Sequence, residues 1–313
     1  MPRDVSETDL IAGDCASKRS PMVSARPASR HVGFLLLWIL SLILLRVPIS
    51  ALTNFALHDE RYSLILVIPF ISGFVVRLRR KPIFASCRYC PSVGIPVLLI
   101  GIALLLSVSP QPLLLSQAAG LRVAAFAIVL VWTALFVLCY GLEALSHATF
   151  PFLFLLLMVP IPMSLMDNAT VFLQKESAEV TYRLFKLLGI PVFRNGFTFT
   201  LPGIEIQVAE ECSGIRSGLS LLITSILAGY LFLRSKWNQL WFVLFTVPVV
   251  IFKNAVRIVT LSSLAVYVDR SFLFGNLHHR GGLPFSLIAV AILAAALFIL
   301  RKSEPDPEKR VAS

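Results

Sequence analysis

Charge is scarce in this chain. Of its 313 residues 14% are charged and 57% hydrophobic, and the mean hydropathy is +0.83. A soluble domain carries about 25% charged residues, so a water-soluble fold of this length is excluded and lipid must solvate much of the surface. Tandem segments of alternating polar and apolar residues are also missing, which excludes a membrane β-barrel and leaves helices as the spanning element. No sequence repeat recurs at a fixed period. The five cysteines form no disulfide framework. Cys87 and Cys90 make a lone CxxC, readable as a metal or redox pair or as two reduced thiols beside the membrane. His278 and His279 stand together without a carboxylate or further histidines at ligand spacing, which argues against an intramembrane metalloprotease.

What the chain does have is a series of apolar runs between short charged or Pro/Gly-rich breaks. Spans are expected near 33–52, 62–76, 92–108, 123–142, 148–166, 212–233, 238–267 and 283–300. Most are near the roughly 20 residues that cross a hydrocarbon core. The second and third are short, and the seventh is too long for one plain span. The expected fold class is all-α: a polytopic transmembrane bundle of about eight helices, with a short outer amphipathic helix and a hairpin.

The net charge of +11 points first to nucleic acid, but its distribution does not. Arg3, Lys18, Arg19, Arg26 and Arg30 precede the first span, and Arg77, Arg79, Arg80, Lys81 and Arg88 follow the second. Arg234 and Lys236 follow the sixth, and Arg301, Lys302, Lys309 and Arg310 follow the eighth. With both termini cytoplasmic, every cluster falls on the inner side, as the positive-inside rule requires. No nucleic-acid partner is expected. Residues 1–30 are polar, lack a hydrophobic period and contain Pro21 and Pro27, so they read as a disordered cytoplasmic tail and not as a signal peptide. The end of the chain, 303–313, reads in the same way.

One substantial segment, 167–211, falls outside. Phe172, Leu173, Val180, Leu184 and Leu187 predict an amphipathic helix resting on the bilayer or the bundle, ended by Gly189-Ile190-Pro191. Phe197 and Phe199, a Leu201-Pro202-Gly203 turn, then Ile204, Ile206 and Val208 predict a short hairpin. The hairpin delivers the chain to Glu210-Glu211-Cys212-Ser213-Gly214 at the start of the sixth span.

Helical rise places three reactive side chains at one depth. Cys212 is roughly 33 Å from Arg234, and Arg257 roughly 32 Å from Lys236, at about 1.5 Å per residue. His278 precedes a span running inward from Gly282 to Arg301. A thiol is a weak nucleophile until ionised, and a helix N-terminus or a nearby cation lowers its pKa. Arg257 can supply that cation or steady an oxyanion, and His278 can move the thiol proton. The plain alternatives are a small apolar filler for Cys212, an interface-snorkelling Arg257 and solvated loop histidines. Glu210 and Glu211 are weaker candidates for binding or for orienting a base, against plain solvated carboxylates. Arg216, one turn below Cys212, has an acidic neighbour as its expected partner. Asn254, about one turn before Arg257, is expected to fix a helix break by hydrogen bonding.

These residues carry a resemblance. Tyr62-Ser63 with Ile68-Pro69, Pro151-Phe152-Leu153-Phe154, Pro160-Ile161-Pro162, Gly189-Ile190-Pro191 and Leu201-Pro202-Gly203 lead to the block Val208-Ala209-Glu210-Glu211-Cys212-Ser213-Gly214-Ile215-Arg216-Ser217. Asn254-Ala255-Val256-Arg257-Ile258 follows, then His278 with Gly282 four residues on. From about residue 57 to 290 the chain resembles the exosortases and their archaeal counterparts, the archaeosortases. The resemblance implies an exosortase-like transmembrane domain over 31–302, with Cys212 as nucleophile, Arg257 as its arginine and His278 as its histidine. His279 and Arg280 keep the third position open, since archaeal relatives tend to use arginine there. Leu283-Pro284-Phe285 is tighter than the family's usual stretch, and the additional C-terminal domain of some relatives is not expected.

The implied activity is that of a cysteine peptidase and transpeptidase of the inner membrane. It would cleave secreted client proteins near a C-terminal motif, often containing Pro-Glu-Pro, that precedes a transmembrane helix and a basic tail. The acyl group would pass through a thioester on Cys212 to a surface glycan or lipid. The likeness to soluble sortases is in chemistry, not fold. No cofactor and no metal are implied. The rival reading is a non-enzymatic transporter or an assembly factor for exopolysaccharide export. It needs a polar path through the bilayer, whereas the polar residues here cluster at one face.

Overall fold

The computed structural model describes residues 27–85, 88–108, 118–208, 214–269 and 282–304. Helices dominate. Six are long and apolar enough to cross a membrane, or up to eight if each bent helix pair is one span. The chain divides into two compact units, Met1–Pro162 and Met163–Ser313.

The first unit holds α1 (Pro27–Leu44), α2 (Arg46–His58), a 3-10 segment Glu60–Leu66, α3 (Ile68–Leu78), α4 (Arg80–Ile83), α5 (Pro91–Val108), α6 (Ala118–His147) and α7 (Thr149–Leu155). The span expected over 33–52 is broken: α1 and α2 meet at a 71° bend around Leu45. Pro48 explains it, because its ring opposes the carbonyl of Leu44 and it offers no N–H to it. The expected 148–166 span also stops early, after a 3-10 turn Leu156–Met158. Pro160 and Pro162 follow, and Met163–Met166 belong to the next helix.

Helix α6 is the core of this unit, with 72% of its most apolar window buried. Without water to drive apolar surfaces together, helices in lipid associate by close packing at small residues. Gly94 and Gly101 of α5 do this: a Cβ at Gly94 would meet the Leu138 side chain at 2.6 Å, and one at Gly101 the Val131 side chain at 2.9 Å. Phe34, Phe84, Phe136, Tyr140 and Phe152 form an aromatic cluster at one end, where Tyr140 Oη and His31 Nδ1 share a 2.9 Å hydrogen bond. There α6 kinks at Gly141, whose φ is 88°. A Cβ at Gly141 would lie 2.2 Å from the Arg88 carbonyl oxygen, so no larger residue fits. Cys90 is buried, with its Sγ 3.6 Å from Ser92 Oγ, and Cys87 lies outside the described residues.

The second unit holds α8 (Met163–Leu187), β1 (Phe193–Asn195), β2 (Thr198–Leu201), β3 (Ile204–Gln207), α9 (Ile215–Phe232), α10 (Lys236–Tyr267) and α11 (Gly282–Ser303). The expected hairpin is present as β2 and β3, with Leu201 paired to Ile204 across the Pro202-Gly203 turn. It belongs to a three-stranded antiparallel meander, because Phe193 of β1 pairs with Thr200. Phe199 and Leu201 point inward and pack with Ala178 and Phe185 of α8 and Val259 of α10.

Helix α8 corrects the expected amphipathic helix in length and in face. It runs 25 residues and buries Met166, Thr170, Leu173, Gln174, Ser177, Ala178, Thr181 and Phe185. Of the expected apolar face, Leu173 is buried and Leu184 packs against the sheet core, whereas Phe172 and Leu187 are exposed. Small and polar side chains let the neighbouring elements approach closely, whereas the large apolar ones can face lipid. Helix α10 continues unbroken for 32 residues through Pro248 and Asn254, so the helix break expected at Asn254 does not exist.

Helices α9, α10 and α11 are tied at one end by Glu304. Its carboxylate accepts the Arg234 N–H at 3.0 Å, the Ser235 N–H at 2.9 Å and Asn238 Nδ2 at 3.1 Å. Partial burial works to raise the Glu304 pKa. The Arg234 and Ser235 N–H groups, Asn238 and the Arg234 charge outweigh it and hold the carboxyl below its usual range. A depressed carboxyl stabilises the fold above its unfolded pKa and loses that contribution as pH falls through the folded value. Glu304→Gln should therefore lower the thermal unfolding midpoint of the detergent-solubilised protein at neutral pH. The gap to wild type should close below the ordinary carboxylate range, and a gap independent of pH would contradict the role of charge.

Candidate active site

The site region is built on the antiparallel pair α9 and α10. Gly214 precedes α9 with φ 78°, a left-handed conformation that an L side chain adopts at a cost of about 1–2 kcal/mol. A Cβ at Gly214 would touch the Asn254 side chain at 3.4 Å, and one at Gly218 the Val250 side chain at 3.1 Å. Thr246 donates to Ser225 at 2.8 Å between the same helices, and Gly229 faces Phe242 and Gln239. These contacts fix the register along the whole pair. They set Gly214 level with Asn254, and so set Arg257 about one helical turn beyond the start of α9.

Two other features converge on this end. The sheet carries the chain to Val208, which is buried; its N–H donates to the Phe197 carbonyl at 2.9 Å, and its own carbonyl accepts from the buried Gln174 Nε2. Arg194 of β1 reaches Glu179 of α8 at 2.6 Å, and Arg183 reaches the same carboxylate at 3.0 Å, which holds the sheet on the helix. Helix α11 is anchored through Glu304 at the opposite end of the pair. Its 22 residues span about 33 Å, so Gly282 opens it near the Arg257 level.

Of the residues expected to carry chemistry, Arg257 is described: it is half-buried on α10. Asn254 is fully buried against Gly214. Arg216 is exposed on the first turn of α9. Cys212, Glu210, Glu211, His278, His279 and Arg280 lie outside the described residues.

Lys253 and Ser217 are the residues that sequence reasoning missed. Lys253 is 2% exposed in the middle of an apolar helix, and its Nζ donates to Ser217 Oγ. Ser217 Oγ in turn donates to the Gly214 carbonyl at 3.1 Å. The signal was a lysine inside a long apolar run, four residues before Arg257 and hence on the same helical face.

No curated protein and no solved structure matches the chain. The family described as Transmembrane exosortase (Exosortase_EpsH) matches residues 52–295, which include all of α9 and α10. That match covers most of the chain, which belongs to the transmembrane exosortase family.

Proposed function

We propose that this multi-pass membrane protein is a cysteine peptidase and transpeptidase acting at the outer face of the inner membrane, with both termini cytoplasmic. Family membership supports the reading. The observation that carries it is the locked register of α9 and α10, which sets Arg257 one turn beyond Gly214, two residues after Cys212 in sequence.

In this reading the Cys212 thiolate attacks the carbonyl carbon of the scissile peptide bond. Arg257 faces the thiolate or the oxyanion of the tetrahedral intermediate. As the intermediate collapses, the C–N bond breaks and the amine leaves with a proton from His278. A Cys212 thioester remains. A hydroxyl or amine of the acceptor gives its proton to His278, attacks the thioester carbonyl and releases the thiolate. The clients are secreted proteins with a C-terminal motif, a transmembrane helix and a basic tail, and the acceptor is a surface glycan or lipid. Basic residues at 77–81, 234–236 and 301–302 support the orientation.

Orientation is tested by single introduced cysteines. An impermeant thiol reagent should label positions near 58, within 190–205 and near 275 in intact cells, but not those near 80, 235 and 305. Labelling at 235 and none at 195 would overturn it.

The nucleophile is tested by Cys212→Ala and Cys212→Ser, which should abolish client cleavage at unchanged membrane abundance. Near wild-type cleavage by Cys212→Ala would remove the thiol mechanism.

The partners of the thiol give the third test. Losing an oxyanion donor costs about 10²–10³ in rate, so Arg257→Ala should be at least that slow. Arg257→Lys should also be impaired, because lysine keeps the charge without the planar fork of donors. His278→Ala should be inactive and His279→Ala much milder. A dead His279→Ala with an active His278→Ala moves the role by one residue. A dead Arg280→Ala with both histidine variants active assigns it to arginine.

A further inference from the structure

The interior of α10 carries a charge that the proposed chemistry leaves unused. Lys253 is 2% exposed, and its ammonium is turned into the helix pair, onto Ser217, and not out to the surface. A lysine has three N–H donors, and among the described residues Ser217 Oγ is its hydrogen-bond partner. No carboxylate accompanies it there. The packed face of α8 offers Leu173, Gln174 and Ser177, that of α9 Gly218 and Leu221, and that of α11 Ala289 and Leu293, none of them titratable. The charged side chain nearest along its own helix is Arg257, one turn on and of the same sign. Ionisable groups inside a membrane are costly, and are kept where an opposite charge arrives or a reaction needs them.

Lys253 is also mechanically coupled to the start of α9. Its ammonium donates to Ser217, and the Ser217 hydroxyl donates to the carbonyl of Gly214. Gly214 is two residues after Cys212. We infer that Lys253 is a positioning residue for the nucleophile: through Ser217 it holds the Gly214 turn, and its ammonium favours the Cys212 thiolate. This inference rests on the reading of Cys212 as the nucleophile. An ammonium that meets no carboxylate among the described residues and a thiol that works as a thiolate each favour the other's charged form, so the pair titrates together. Low dielectric around α10 lets that charge act over more than a contact distance.

The test follows alkylation of Cys212 by iodoacetamide across about pH 6 to 10, read by peptide mass spectrometry on the full chain in its own membranes, alongside client cleavage. In Lys253→Met the alkylation midpoint should rise by about one pH unit, and cleavage at neutral pH should fall about ten-fold, recovering in part as pH rises. Lys253→Arg should keep the midpoint of the wild type. A wild-type midpoint in Lys253→Met at matched abundance overturns the inference. If Lys253→Met does not accumulate, Ser217→Ala decides: it keeps the charge but cuts the tie to Gly214, so cleavage should slow about ten-fold, and a wild-type rate overturns the positioning role. Failure of the nucleophile reading is separate, because it shows as cleavage by Cys212→Ala, whereas the alkylation midpoint reports the lysine's charge whether or not Cys212 attacks the client.

Discussion

The second unit depends on the close approach of α9 and α10. In lipid the apolar faces of two helices gain little by leaving their surroundings, so contact requires that the backbones come near enough for dispersion and hydrogen bonds to act. Gly214, Gly218 and Gly229 allow that approach, and Thr246 with Ser225 and Lys253 with Ser217 bridge it. Each of these contacts fixes the same register. Everything that concerns the candidate site follows: the level of Arg257, the depth of Lys253 and the position at which α9 begins. The sheet, folded onto α8 and the far end of α10, and α11, tied through Glu304, bring the remaining chain to that frame.

Much of this was legible in the residues. The apolar runs gave the membrane class, and Leu201-Pro202-Gly203 gave the β2–β3 turn, because a turn with a fixed φ followed by a glycine has few alternatives. Span limits were less legible where proline sat inside an apolar run. Hydropathy averages over Pro48 and over Pro160-Ile161-Pro162, but the backbone cannot. Pro248 shows the opposite outcome: helix α10 passes through it, since packing on both sides outweighs one lost hydrogen bond.

The face of α8 was misread at Phe172 and Leu187 for a physical reason. Periodicity assumes that large apolar residues turn inward, which holds when water is outside. Here Phe172 can face lipid while Thr170, Gln174, Ser177 and Thr181 turn to the protein. At the site, Arg257 and Asn254 were legible as polar residues at the end of a run. Lys253 was not, because its meaning comes from the serine that a glycine-mediated contact brings to it. Depth along a helix can be counted from the sequence; which neighbour waits at that depth cannot.

The length of α10 has a further consequence. Its 32 residues extend about 48 Å, well past a hydrocarbon core of about 30 Å, and the stretch from Lys236 to Arg257 alone accounts for about 32 Å. The pair formed with α9 is a rod of fixed length whose anchors, the basic residues near 234–236 at one end and Arg257 at the other, prefer separate interfaces. A thicker bilayer must pull Arg257 below the headgroups, and a thinner one must tilt the rod. For the proposed reaction, acyl-chain length in the host membrane thereby becomes a variable, setting how far Arg257 stands from water.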